Sequence, residues 1–129
     1  MENCHYEDNE VIIPRNMKEC IKQLDIILSE ENKEILRGMM LGNNTYNPHF
    51  NLGLWIRNNW LYPENSNLYS YMRNKYKPYF FIHDDDLSSI IIRFYLQHLE
   101  GKDELWKDYD SRDIINYFDH YDKENEILE

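Results

Sequence analysis

An all-α fold, one compact domain of about six helices, is what the sequence predicts, and three observations carry that expectation. Apolar residues recur at i, i+3 and i+4 spacing in successive segments, lining one face of each. Asn, Ser or an Asn-Pro pair stands just ahead of those segments, where helix caps belong. The chain has 129 residues, one domain by length, able to bury about two-thirds of its unfolded surface.

The elements follow in order. Residues 1–13 read as a loosely ordered leader, with Val11-Ile12-Ile13 docking on the body. Asn16 caps the first helix, and Glu19 completes an N-x-x-E variant of the capping box. Met17, Cys20, Ile21, Leu24, Ile27 and Leu28 form its apolar stripe. Ser29 recaps the chain for a second helix carrying Ile35, Leu36, Met39 and Met40. That helix stops near Gly42-Asn43-Asn44, giving a helix–turn–helix hairpin.

Asn47-Pro48 opens a third helix that runs to about Asn59. On its wheel Phe50, Leu54, Arg57 and Leu61 fall on one line, while Leu52, Trp55, Ile56, Asn59 and Trp60 gather on another. A helix apolar over so much of its circumference belongs at the centre. Gly53 lets a neighbouring helix come close. Arg57, partly buried there, needs a carboxylate from Asp84, Asp85 or Asp86.

Ser66 caps a fourth helix with Leu68, Tyr69, Met72 and Tyr76 on one face, and Pro78 ends it. Residues 79–83 suit a short extended segment. The stretch from Asp84 onward is the clearest long helix: its first turn holds acids that complement the macrodipole. Leu87, Ile90, Ile91, Phe94 and Leu99 are its buried stripe, and Gly101 stops it. A last helix over roughly 111–122 carries Ile114, Ile115, Tyr117, Phe118 and Tyr121. The helical domain thus spans 14–122, and 123–129 form an acidic tail.

Composition narrows the function classes. The net charge is −10, which disfavours duplex nucleic acid and anionic membranes as partners. From Glu100 to Glu129 there are eleven acids against four bases, so the excess concentrates at the C-terminal end. Nothing approaches the length of a bilayer span. Two cysteines, Cys4 and Cys20, make no disulfide framework, and the polar acidic start lacks a signal-peptide pattern. A reducing cytoplasm is the expected compartment, with Cys20 in the core and Cys4 in the loose end.

Candidate chemistry is sparse. His83-Asp84-Asp85-Asp86 combines imidazole and carboxylates, the groups that hold divalent metals or trade protons. Consecutive residues at a helix start diverge, however, and capping explains them without a metal. His49 and His98 are further candidates for such a site, though a packed, hydrogen-bonded role accounts for each. No nucleophile elbow, zinc-protease, phosphate-loop or dinucleotide motif occurs. Residues 67–81 mix Tyr with Arg73, Lys75 and Lys77, a pattern suited to stacking on single-stranded nucleic acid, or to a protein interface.

Phe50-x-x-Gly53-x-Trp55-Ile56-Arg57-Asn58-Asn59-Trp60, then His83-x-Asp85-Asp86-x-Ser88-x-Ile90-Ile91 and Leu99-x-Gly101-Lys102, resembles a family of small bacterial and phage-associated domains of unknown function. That family reads H-F-G-L-G-x-W-I-R-N-N-[WF] and later H-P-D-D-x-S-x-I-I. Its preceding segment, I-P-x-x-x-E-x-I-x-x-L, is similar to Ile13-Pro14 through Glu19, Ile21 and Leu24. The likeness covers residues 12–102 and departs from the pattern at Asn51 and Asp84. It implies a shared fold and brings no activity or catalytic residue. Small domains of this kind often sit near toxin or defence loci.

The leading expectation is a non-enzymatic binding protein that neutralises a basic partner protein, as an immunity protein or an inhibitor of a toxin or defence nuclease does. Asp103, Glu104, Asp108, Asp110, Asp113 and Tyr117 are the expected contacts. No cofactor or metal is expected in this reading. One alternative is an enzyme or metal site of His49, His83, Asp85 and Asp86 near Arg57. Another is a small-ligand or nucleotide sensor floored by Trp55 and Trp60.

Overall fold

The computed structural model describes residues 12–40, 51–77 and 82–115. Six helices and no strand occur among them: α1 (Met17–Ile27), α2 (Glu30–Met40), α3 (Leu52–Ile56), α4 (Asn67–Lys75), α5 (Asp84–Leu99) and α6 (Glu104–Ser111). The fold is all-α. α3 continues without a break into a single π-helical turn, Arg57–Leu61.

α5 is the axis. α1, α2, α3 with its π turn, and α6 all pack against it, while α4 leans on the π turn and α6 also touches α1. Its stripe of Leu87, Ile90, Ile91 and Phe94 is buried as the sequence predicts. The core around it takes Met17, Cys20, Ile21 and Leu24 from α1, Leu36 from α2, and Ile56 and Trp60 from the third segment. Leu68, Met72 and Tyr76 close it from the α4 side. Full burial of side chains of this size contributes about 1.5–3 kcal/mol each, the dominant favourable term in the fold.

The helix ends show how the polar backbone is satisfied. Asn16 caps α1 through its side-chain oxygen, which accepts from Glu19 N at 2.9 Å. Glu19 does not turn back to the cap itself. Its carboxylate accepts from the Arg15 backbone N–H at 2.8 Å and from the Arg15 guanidinium. Ser29 recaps the chain, accepting from Asn32 N at 3.1 Å, and Ser66 does the same for α4 by accepting from Tyr69 N at 3.1 Å. At the end of α5, Lys102 N donates to Gln97 O and Gly101 N to His98 O. These two bonds form a Schellman ending, and it requires the positive φ of 82° that Gly101 adopts.

Two boundaries differ from expectation. α3 opens at Leu52, capped by Asn51, whose side chain accepts from Leu54 N at 3.0 Å; the predicted start at Asn47-Pro48 lies outside the described residues. The final described helix is α6, ending at Ser111, ahead of the predicted 111–122 segment. Arg112 is extended (φ −100°, ψ 139°), because Ile115 turns back to α4 and donates its N–H to Lys75 O at 2.8 Å. Ile115 is buried there, whereas Ile114 faces solvent. Residues 116–122, the leader to Val11, the acidic tail and 79–81 lie outside the described residues.

Candidate functional site

The aromatic motif of the third helix builds the first joint. Its π turn is closed by Tyr62 N donating to Arg57 O at 2.8 Å, a bond one residue wider than an α-helix makes. Asn59 donates its side-chain amide to Trp55 O at 2.9 Å, tying the widened turn back to a carbonyl of α3. Trp55 meets Trp60 edge to face at 5.4 Å between ring centroids. Trp60 is fully buried, so of the two rings only Trp55 reaches solvent, and the Trp60 indole N–H has no partner among the described residues.

Arg57 reaches α5. Its guanidinium donates to Ser88 Oγ at 2.9 Å and stands 3.4 Å from Asp85. Ser88 in turn donates to Asp85 O at 3.0 Å. The tether expected for Arg57 is therefore chiefly a buried serine, with an exposed carboxylate as second partner. Gly53 makes room for the same guanidinium: a Cβ there would sit 3.4 Å from Arg57 Nη1 and 3.8 Å from Ile92 Cδ1.

The His83–Asp86 cluster separates at the start of α5. Asp86 reaches back to accept from His83 N at 2.9 Å. Asp84 pairs with Arg73 of α4 at 2.9 Å. Asp85 turns to Arg57. His98 stands at the other end of the same helix, roughly 22 Å away at 1.5 Å per residue, so it does not join His83. Among the described residues, no group of three or more His, Cys, Asp or Glu is placed to hold a metal ion. His49 and Phe50 lie outside the described residues. Asn58 is exposed.

The second joint, around α6, is more polar. Asp110 accepts from Met17 N and Lys18 N, both at 2.9 Å, and from the Tyr71 hydroxyl of α4. Together with Asn16 on Glu19 N, this accounts for the first three N–H groups of α1, which no helical carbonyl can reach. A carboxylate there also meets the positive end of the helix dipole.

Beneath Asp110 lies Lys75, almost fully buried. Its ammonium rests over the rings of Tyr71 at 4.6 Å and Tyr109 at 5.0 Å and donates to Arg112 O. Burial pulls its pKa down, and the nearby Asp110 and Asp113 carboxylates oppose that in part. Cys20, in the core as expected, has its thiol pushed well up by burial and by Asp110.

At the other end of α6, His98 sits between two carboxylates. Nε2 is 2.9 Å from Asp25 of α1, and Nδ1 is 2.7 Å from Asp103. Asp25 also accepts from the Tyr95 hydroxyl at 2.8 Å, and Asp103 from the Trp106 indole at 2.8 Å. Burial works against the imidazolium, but the bonds to Asp103 and Asp25 outweigh it and raise His98 above its ordinary value. Asp103 is held low in turn by His98 and Trp106.

The acids expected to contact a partner therefore divide. Asp103 and Asp110 face inward to these joints, and Asp108 pairs with Arg112 at 3.1 Å. Glu104 and Asp113 are exposed. Tyr117 lies outside the described residues. Within the Tyr-rich stretch, Arg73 and Lys75 are likewise engaged inside the fold, and only Lys77 among the three bases is exposed. The network at His98 is what sequence reasoning missed. Its one local signal was an imidazole and a carboxylate five residues apart across the Gly101 turn.

A family model described as a domain of unknown function, DUF6794, matches residues 13–99. The chain belongs to that family. The matched residues end with the last turn of α5, so the DUF6794 unit contains α1 to α5. α6 lies beyond it, yet supplies the carboxylate that caps α1. No curated protein and no solved structure matches the chain. No helix among the described residues is long and apolar enough to cross a membrane.

Proposed function

We propose that this chain is a non-enzymatic acidic binding protein that neutralises a partner with a basic surface, as an immunity protein or an inhibitor of a toxin or defence nuclease does. The observation that carries the reading is the outer side of the C-terminal region: Glu104, Asp113 and Ile114 are all open to solvent on a chain of net charge −10. Ile114 is 57% exposed beside an acid. An apolar anchor beside a carboxylate gives affinity and electrostatic steering at once. The contact set narrows accordingly to Glu104, Asp113 and Ile114, with Tyr117 as its continuation along the chain.

Capture from the source cell with the full chain and with an E104K/D113K variant tests this. The wild type is expected to retain a basic protein, lose it on double charge reversal, and suppress that protein's activity in vitro. Its association rate should fall steeply as salt rises, because exposed charges act over about 8 Å at physiological ionic strength. A rate indifferent to salt, or a captured partner unaffected by the variant, would count against the proposal.

A further inference from the structure

The two ends of α6 are fastened by different chemistry. At its C-terminal end Asp110 accepts from two backbone N–H groups and a tyrosine, none of which changes protonation near neutrality. At its N-terminal end, Asp103 is tied to α5 and α1 through a single imidazole. A neutral imidazole carries one N–H and can donate to one acceptor only. Here both ring nitrogens face carboxylate oxygens within 2.9 Å. In the neutral ring one nitrogen would therefore point a lone pair at an anion. Only the imidazolium satisfies both contacts.

We propose that α6 is a strap whose N-terminal end is held by the His98 imidazolium, and that loss of this proton breaks one of the two carboxylate contacts, so that Asp103 and Trp106 are no longer bridged to Asp25 of α1 while Asp110 keeps the far end fastened there. The charged groups around the joint fit that role. α1 contributes Asp25, and α5 itself contributes Tyr95, which donates to Asp25 and whose ring lies 5.8 Å from the imidazole. From α2, Glu30 and Arg37 act on Tyr95 with opposite signs. On the α6 side stand Asp103 and Lys107. The carboxylates that touch the ring are both anions, and the imidazole also sits in the last turn of α5, where a cation meets the negative end of the helix dipole.

The sign follows from linkage. His98 is raised in the folded state, so its contribution is full below the ordinary histidine value and fades as pH rises through the higher folded value. The Asp103 contribution runs the other way, present above the ordinary carboxylate range and lost in acid. The strap is thus fully closed below the ordinary histidine value of about 6.5 and loosens as pH climbs through the higher value that His98 has in the fold.

An NMR titration of the full chain between about pH 5 and pH 9 reads this directly, with the His98 ring protons and the Trp106 indole N–H as probes. His98 should titrate above its ordinary value, and the Trp106 resonance should move with the same midpoint. Amide exchange of Lys107, corrected for intrinsic pH dependence, should speed up across that midpoint, while Met17 and Lys18 amides stay protected. The opening constant should rise about tenfold for each unit of His98 shift. A midpoint at or below the ordinary value, or a Trp106 signal that ignores it, overturns the proposal. His98→Gln supplies a second arm: its neutral amide should abolish the Trp106 step, and a step surviving at the same midpoint would also overturn it. The wild-type titration decides alone if that variant does not fold.

Discussion

Two joints fasten the helices to one another, and they differ in how far along the chain their partners lie. At the π turn, Arg57 finds Ser88 31 residues away, while the Asn59 amide and the Trp55–Trp60 ring contact stay within the motif itself. At α6, Asp110 reaches back 93 residues to Met17, and His98 reaches 73 residues to Asp25. The first joint is chiefly apolar filling with one polar tether. The second is a set of charged hydrogen bonds laid over buried aromatics. What the difference teaches is where charge matters: substitutions that remove a charge should be tolerated at the first joint and felt at the second.

The sharpest way to break that contrast is Asp110→Ala. It deprives two α1 N–H groups and the Tyr71 hydroxyl of their acceptor, and hydrogen bonds to a charged group are individually worth about 1.5–3 kcal/mol. Water can reach part of the site, so the expected loss is about 3 kcal/mol in urea unfolding rather than the full sum. Asp110→Asn keeps an acceptor oxygen and should cost about half as much. A loss of less than about 1 kcal/mol for the alanine variant would mean that α6 is not holding α1 at all.

Arg57→Ala makes the matching test at the π turn, where about 1 kcal/mol is expected. Asp85 is 80% exposed on its side chain, so the ion pair is screened and adds little. Most of the loss should come from the bond to Ser88. A double-mutant cycle with Ser88→Ala should recover nearly all of the coupling, and one with Asp85→Ala little of it. Coupling concentrated in Asp85 would reverse the assignment, making the π turn as charge-dependent as the α6 joint.

The same contrast explains what could be read in advance. Met17, Cys20, Ile21 and Leu24 announce α1 by spacing alone, and Asn16 and Ser66 announce their helices by cap chemistry. Such signals are local, and the structure honours them. The π turn was not legible, because a single extra residue in a helical turn leaves the apolar pattern of Trp55, Ile56 and Trp60 almost unchanged. Asp110 and Asp103 were expected to face a partner protein because their own partners, backbone N–H groups, a tyrosine and an imidazole, are set in place by folding. Lys75 reads as part of a basic, Tyr-rich pattern suited to nucleic acid or a protein interface; the Tyr71 ring that shelters it is one turn away on α4, but the Tyr109 ring comes from α6. A pattern of charge along the chain does not say which charges face inward.

Gly53→Ala gives the smallest expected effect and the finest comparison. A glycine within a packed aromatic motif suggests a close backbone crossing, and α5 is the neighbour that would make it. The contacts say otherwise, since a Cβ at Gly53 meets side-chain atoms only, Arg57 Nη1 at 3.4 Å and Ile92 Cδ1 at 3.8 Å. Both are flexible ends at or near ordinary contact distance. Replacing glycine with alanine also narrows the unfolded ensemble, which favours folding by about 0.4–1 kcal/mol. The two effects nearly offset, so thermal and urea unfolding should show a change within about 0.5 kcal/mol. If the variant instead loses about 2 kcal/mol or more, the cost belongs to overpacking of a rigid crossing. The guanidinium would then be fixed as firmly as Asp110 is, and the π turn would owe its stability to Arg57 geometry rather than to the filling of its core.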